Sequence, residues 1–171
     1  MVLTTDRLVL REFTAADGPA VLLYQNDPLY LRYYEWTERT PADVKNFIEM
    51  WLKQRQASPR RAFQLAITLR QNGELIGNCG VRQEANDGPN ATIGYELNPR
   101  YWGRGYATEA GRAMLAFSFG QLLLHRIWAT CVAENIASVA VLERLGMRTA
   151  AGECLLLGSL VGHAYLRAVK R

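Results

Sequence analysis

A chain of 171 residues, 49 % hydrophobic and 21 % charged, has the length and composition of one globular domain over residues 1–171 with a sizeable core, which excludes a disordered protein. The formal net charge is +4, with 20 Lys and Arg scattered along the chain; so mild an excess does not point to nucleic acid and suits a small anionic ligand. No run approaches the roughly 20 apolar residues of a membrane span, and the opening "MVLTTDRLVLREF" lacks a signal-peptide design, so a cytoplasmic protein is expected.

Along the chain, "RLVLREF" (7–13) alternates apolar and charged residues as a strand with one wet face does. "TAADGPAVLLYQN" offers Thr14 as a cap, an acid at Asp17 and a short apolar helix. "DPLYLRYYEWTER" (27–39) reads as an aromatic loop or short helical turn, with Tyr33, Tyr34 and Trp36 either lining a cleft or packing as a core patch. A helix follows over 40–56: Thr40 is the N-cap, Pro41 the first helical residue, and Val44, Phe47, Ile48 and Trp51 form one apolar stripe. "AFQLAIT" (62–68) and "ELIGNCGVRQ" (74–83) are strands joined by a hairpin at Asn72–Gly73. "NDGPN" (86–90) turns into a third strand, "ATIGYEL" (91–97), which Asn98–Pro99 ends.

A helix then runs to about Gly120, burying Ala107, Ala110, Met114 and Phe117. "HRIWATCVA" (125–133) is apolar enough for a central strand, "NIASVAVLERLG" (135–146) is a helix closed by Gly146, and weaker strands lie near "MRTAAGE" and "HAYLRAV". The order predicts a mixed α/β sheet, because too few strand–helix–strand crossovers are present for a doubly wound one. Cys79, Cys131 and Cys154, odd in number and widely spaced among apolar neighbours, read as reduced core residues rather than disulfides or a metal site. His125 and His163 have no neighbours that suggest a triad or zinc ligation, so no metal is expected.

The segment "NPRYWGRGYATEAG" (98–111) concentrates the chemistry. It is not a phosphate loop, since no Gly-Lys-Ser/Thr follows. As a dinucleotide fingerprint it is incomplete, with Thr108 where a third glycine belongs and a meander before it. A strand-to-helix turn without a ligand accounts for the glycines. So does an anion nest, in which the free N–H groups of a new helix face a pyrophosphate, bare glycines let the backbone approach, and Arg100 and Arg104 add positive potential.

Arg100-x-x-Gly103-x-Gly105 resembles the acyl-CoA signature, Gln/Arg-x-x-Gly-x-Gly/Ala, of the GNAT N-acetyltransferase superfamily. "IGYELNPRYWGRGYATEA", "TTDRLVLREFTAAD" and "ENIASVAVLERLGM" are similar to its ribosomal-protein-alanine N-acetyltransferase (RimJ/RimL-like) branch, a resemblance spanning roughly residues 4 to 148 in three ordered segments. The resemblance implies a mostly antiparallel sheet splayed into a V between strands 91–97 and 125–132, with about four flanking helices. It implies acetyl-CoA as co-substrate, with pantetheine amides pairing to the open strand edges around Glu96 and Leu97. The pyrophosphate would lie on the backbone from Arg100 through Trp102, Gly103, Arg104 and Gly105 to Tyr106, Ala107 and Thr108.

Acetyl transfer from a thioester to an amine needs a proton acceptor for the amine, a donor at the carbonyl oxygen and a donor to the leaving thiolate. Asn135 is a good N-cap, and Ser138 three residues on completes such a turn; the resemblance instead gives Asn135 to pantetheine and Ser138 to the sulfur as general acid. Glu96 either receives the amine proton or points to solvent beside Tyr95, since strand side chains alternate faces. Glu109, one turn into its helix, favours the dipole whatever else it does and is assigned to structure. The expected function is acetyl-CoA-dependent N-acetylation by direct attack in a ternary complex; a catalytically silent acyl-CoA-binding module is the alternative. Expected acceptors are a small-molecule amine or a protein N-terminus, with no nucleic acid or membrane partner, in a monomer or homodimer.

Overall fold

The computed structural model describes residues 1–83, 88–150, 153–158 and 162–169, with side chains through Met147. Nine strands form one sheet in the order β1-β2-β3-β4-β5-β6-β9-β7-β8. Its first half is an antiparallel meander: β1 (Val2–Thr4), β2 (Leu8–Glu12), β3 (Ala62–Leu69), β4 (Leu75–Arg82) and β5 (Asn90–Leu97). The second half holds β6 (Arg126–Val132), which runs parallel to β5 on one side and to β9 (Gly162–Val169) on the other, with β7 (Arg148–Ala150) and β8 (Glu153–Gly158) beyond.

Helices cover both faces, because alternate residues of each strand are apolar on both sides. On one face α1 (Gly18–Gln25), α2 (Pro28–Leu31) and α3 (Pro41–Gln56) enclose Phe13, Val21, Tyr24, Val44, Ile48, Trp51 and Ala66. On the other, α4 (Tyr106–Gly120) and α5 (Ile136–Arg144) press Ala110, Met114, Phe117 and Leu142 onto Leu10, Ile67, Cys79, Val81, Ile93 and Ile127. The expected stripe of α3 is inward, and its capping box is formed: Thr40 N–H and Oγ1 both donate to Asp43 Oδ2, at 2.8 and 2.7 Å. Thr14 starts a 3₁₀ turn (Ala15–Asp17) that runs into α1 rather than starting the helix itself.

The hairpin at Asn72–Gly73 is present, with Gly73 at φ +74°. The turn expected at 86–90 falls partly outside the described residues. Cys79 and Cys131 are not in disulfides, and Cys79 is fully buried, which pushes its pKa up to about 12. The Cys154 and His163 side chains lie outside the described residues, and His125 is exposed. Among the described residues no helix is long and apolar enough to cross a membrane.

Strands β5 and β6 pair over three residues only, Asn90 to Thr92 against Arg126 to Trp128. Beyond that they part, so the expected V is present. The meander side is pinned by a partly buried ion pair: Arg11 Nη2 and Nη1 donate to Asp17 Oδ1 and Oδ2 at 2.7 and 2.9 Å, with Asp17 only 7 % exposed. Burial raises the Asp17 carboxyl, but Arg11 and Thr14 together outweigh it and hold the group below the usual carboxylate range. A depressed folded pKa adds stability above the unfolded value, and that stability is lost as pH falls through the folded one. Asp17→Asn is therefore expected to cost about 2 kcal/mol at neutral pH. Measured by urea unfolding, that cost shrinks once the medium is acid enough to protonate Asp17 in the wild type.

Candidate active site

The parting of β5 and β6 opens a cleft of about 1320 Å³, larger than the roughly 300–1,000 Å³ of a site for one drug-sized ligand. Its walls include Tyr95, Glu96 and Leu97 from β5, Thr130 to Val132 from β6, the start of α4, and Asn135 and Ser138 of the α5 turn. Tyr30, Tyr33 and Tyr34 form the roof on the α1–α3 side, and the Tyr33 hydroxyl donates across the mouth to the Glu134 carbonyl at 3.2 Å. Trp36 stacks behind Tyr34, with ring centres 4.4 Å apart, and does not line the cleft. The aromatic segment therefore serves both readings offered by its sequence.

Along β5 the backbone alternates. The Asn98 N–H donates to the Ile76 carbonyl at 2.8 Å, so Glu96, two residues earlier, also turns its main-chain groups toward β4. Those of Tyr95 and Leu97 face the open edge. Trp102 Nε1 reaches back to donate to the Leu97 carbonyl at 2.7 Å, giving that exposed acceptor a partner.

At the next turn the chain is shaped for an anion. Gly103 and Gly105 sit at φ +73° and +80°, a region that side-chain-bearing residues adopt at a cost. Gly105 is the N-cap of α4 and supplies no side-chain cap. Among the described residues, the N–H groups of Gly103, Arg104, Gly105, Tyr106, Ala107 and Thr108 donate to no protein acceptor. The buried Thr108 Oγ1 beside them also has no partner. Unpaired donors at a helix N-terminus, with its partial positive charge, fit a diphosphate.

Of the predicted cofactor residues, Glu96, Leu97, Trp102, Gly103, Gly105, Tyr106, Ala107 and Thr108 line the cleft together with Asn135 and Ser138, but the main-chain groups of Glu96 are taken by β4 rather than left for a ligand. Arg100 and Arg104 are exposed and do not line it. The Arg104 guanidinium lies over the Tyr101 ring instead. Arg7, which the sequence did not single out, does line the cleft. It clasps the nest, donating from Nε to Glu109 Oε2 at 2.7 Å and from Nη1 to the Arg104 carbonyl at 3.0 Å. Thr5 Oγ1 donates to the other Glu109 oxygen at 2.6 Å. Burial raises the Glu109 carboxyl, yet the Thr5 and Arg7 hydrogen bonds overcome it and keep the pKa below its ordinary value. Glu109 thus takes the structural part expected of it.

Asn135 caps α5, its Oδ1 accepting from the Ser138 N–H at 3.1 Å. Its amide NH2 makes no recorded bond among the described residues, so capping leaves two donors for the cleft. Ser138 Oγ lies 2.8 Å from the Tyr95 hydroxyl, which also approaches the Ser138 carbonyl at 3.0 Å. This contact spans the gap between β5 and α5. Burial, offset in part by the Ser138 bond, raises the Tyr95 phenol above its ordinary value, so it carries its proton at neutral pH.

Glu96 is half-buried and points to the opposite face from Tyr95. Three donors converge on its Oε2: the Tyr24 hydroxyl at 3.1 Å, Gln25 Nε2 at 3.0 Å and Asn78 Nδ2 at 2.9 Å. It is therefore neither free in solvent nor without company. Burial first, and then the Glu96 charge, raise the phenols of Tyr24 and Tyr30 well above the usual value and that of Tyr34 to about 12. Among the described residues, the buried Tyr30 hydroxyl has no hydrogen-bond partner.

The model for the Acetyltransferase (GNAT) domain matches residues 7–148. The "Uncharacterized N-acetyltransferase YnaD" of Bacillus subtilis (strain 168) is 35 % identical over 148 residues, covering 86 % of this chain and 83 % of its own. A solved GNAT-family acetyltransferase from Bacillus anthracis is similar at TM-score 0.76 and 30 % identity, covering 91 % of this chain and 87 % of that one. The ribosomal-protein-S5-alanine acetyltransferase from Vibrio fischeri is similar in fold at TM-score 0.75, with 20 % identity over 96 % of this chain and 94 % of its own. A nest of free amides, a splayed sheet and matches of this extent agree: the chain belongs to the GNAT acetyltransferases, enzymes that use acetyl-CoA to acylate amines.

Proposed function

We propose that this enzyme acetylates a primary amine, either a protein N-terminal α-amine or a small-molecule amine, by direct attack with both substrates bound in the cleft. The RimJ/RimL-like strings in its sequence and its likeness in fold to the Vibrio fischeri enzyme make N-terminal peptides the first acceptors to test. The carrying observation is that Tyr95 and Glu96, neighbours in β5, present a hydroxyl pair and a carboxylate to one cleft from opposite faces of the sheet.

In this reading the diphosphate of acetyl-CoA is held by the N–H groups of Gly103 through Thr108, with Thr108 Oγ1 as a further donor and the Arg7–Glu109 pair bracing the turn. The open-edge amides of β5 and the free NH2 of Asn135 pair with the pantetheine arm. Acetyl-CoA supplies the activated acyl group as a thioester. Glu96 holds the acceptor amine on the α1–α3 face and takes up its proton. Ser138, hydrogen-bonded to Tyr95, returns a proton on the opposite face where the thiol leaves. Attack and departure from opposite sides keep the two proton transfers apart. A cleft of about 1320 Å³ has room for both substrates at once, which suits direct attack without a covalent acyl-enzyme.

Removing one hydroxyl of the pair leaves the other near the sulfur. Ser138→Ala and Tyr95→Phe are each expected to slow CoA release about tenfold, and the double variant about a hundredfold or more, with acetyl-CoA affinity little changed. Release is followed by thiol titration with a panel of N-terminal peptides and small amines. Wild-type rates in the double variant, or no release from any acceptor by the wild type, contradict the reading.

A β-branched side chain at φ +80° strains the nest and covers its amides. Gly105→Val is accordingly expected to weaken acetyl-CoA binding by at least about tenfold in calorimetry, with the far-ultraviolet dichroism of the fold retained. Unchanged affinity would move the diphosphate elsewhere.

A further inference from the structure

Two trails of side chains end on the same oxygen of Glu96. The first begins at Arg82 on β4: Nη2 donates to Gln64 Oε1 at 2.7 Å, Gln64 Nε2 donates to Asn78 Oδ1, and Asn78 Nδ2 donates to Glu96 Oε2 at 2.9 Å. The second begins after α2, where Arg39 Nε donates to Gln25 Oε1 at 3.3 Å and Gln25 Nε2 donates to Glu96 Oε2 at 3.0 Å. The phenols of Tyr24, Tyr30 and Tyr34 are the other titratable groups around this carboxylate.

The polarity of both trails is fixed by their origins. A guanidinium has donors and no acceptor, so the amide beside it must turn its oxygen toward the arginine and its NH2 away. Each following amide inherits that direction, and the trail can end only on an acceptor. Gln25, Gln64 and Asn78 are 2, 2 and 1 % exposed. A flipped amide would therefore face donor to donor with no water to relieve it, a costly arrangement.

The sheet is cleared for the longer trail. A Cβ on Gly80 would collide with Gln64 Oε1 and the Phe63 carbonyl, and one on Gly94 would press Arg82 Nη1 at 3.2 Å. Arg82 is also held over the Trp51 ring, 5.2 Å from its centre. Arg39 is fixed at its own end by a reciprocal pair, Arg39 N–H to Asn26 Oδ1 at 2.7 Å and Asn26 Nδ2 to the Arg39 carbonyl at 2.8 Å. With three donors on Oε2, Oε1 is left without a hydrogen-bond partner among the described residues.

We infer that Arg82 and Arg39 are positioning residues of the acceptor site. Acting through Gln64–Asn78 and through Gln25, they saturate Oε2 of Glu96 and orient Oε1 as the open acceptor for the incoming amine. The inference rests on the reading of Glu96 as the group that receives the amine, and neither arginine itself touches a substrate.

Steady-state kinetics of the full chain with its best peptide or amine acceptor, beside acetyl-CoA affinity by calorimetry, test it. Arg82→Met is expected to raise the acceptor KM about tenfold while acetyl-CoA affinity stays within about twofold. Arg82→Lys, which keeps one donor for Gln64 Oε1, is expected to recover most of that loss. Arg39→Met, at the half-buried end of the shorter trail, is expected to raise the acceptor KM about threefold, and it decides the matter alone if Arg82→Met does not fold. An unchanged acceptor KM in the folded arginine variants overturns the inference, as does a parallel loss of acetyl-CoA affinity, which marks general loosening. Glu96→Gln separates the two levels. If it leaves the acceptor KM unmoved, the reading of Glu96 falls; if it raises KM while the arginine variants are silent, only the arginine trails fall.

Discussion

Strands β5 and β6 run parallel for three residue pairs and then separate, and the backbone groups this leaves unpaired constrain everything built around them. A sheet edge inside a protein must find partners for its N–H and C=O groups. Here Trp102 satisfies one carbonyl, at Leu97, and the contact of Tyr95 with Ser138 ties the two arms across the gap. What remains open is a polar-edged slot leading to a helix start whose own amides are unpaired. Under the proposed function, that slot suits a co-substrate with amides along its arm and a diphosphate at its end.

The two faces of β5 are furnished differently. Toward α4 and α5, Tyr95 packs against the hydrophobic core and its hydroxyl meets Ser138. Toward α1 and α3 a polar layer runs through the interior, from Arg82 and Gln64 to Asn78, Tyr24, Gln25 and Glu96. Buried polar side chains cost free energy unless every hydrogen-bonding group is used, and a fully connected network rigidifies what it touches. A carboxylate held in this way is oriented before any partner arrives, which is how electrostatic preorganisation helps a reaction.

Much of this was legible in the sequence because it is local. Thr40 and Pro41 announce α3, Asn72–Gly73 announces its hairpin, and the glycines at 103 and 105 announce a turn with positive φ ahead of a helix. Asn135 was legible as a cap, and it is one. The three-residue β1 was not: it carries no period to read and exists by pairing with β2. β8 was missed likewise in the tail. The partners of Glu96 come from α1 and β4, some 71 and 18 positions away, and Arg7 meets Glu109 across 102 positions. Such meetings depend on register and packing, which no local pattern encodes. One signal was available: glycines at 80 and 94, inside strand-like runs, mark close approach of other groups, and that is where the Arg82 guanidinium and the Gln64 carboxamide lie.

The central claim is that main-chain amides at the β5-to-α4 turn grip a diphosphate. A titration of the 15N-labelled protein with CoA, and with ADP as its diphosphate-bearing fragment, reads those amides one by one. The account predicts downfield shifts at Gly103, Gly105, Tyr106, Ala107 and Thr108 with both ligands, larger than at any other backbone amide. Saturable binding of CoA that leaves these resonances in place would contradict it.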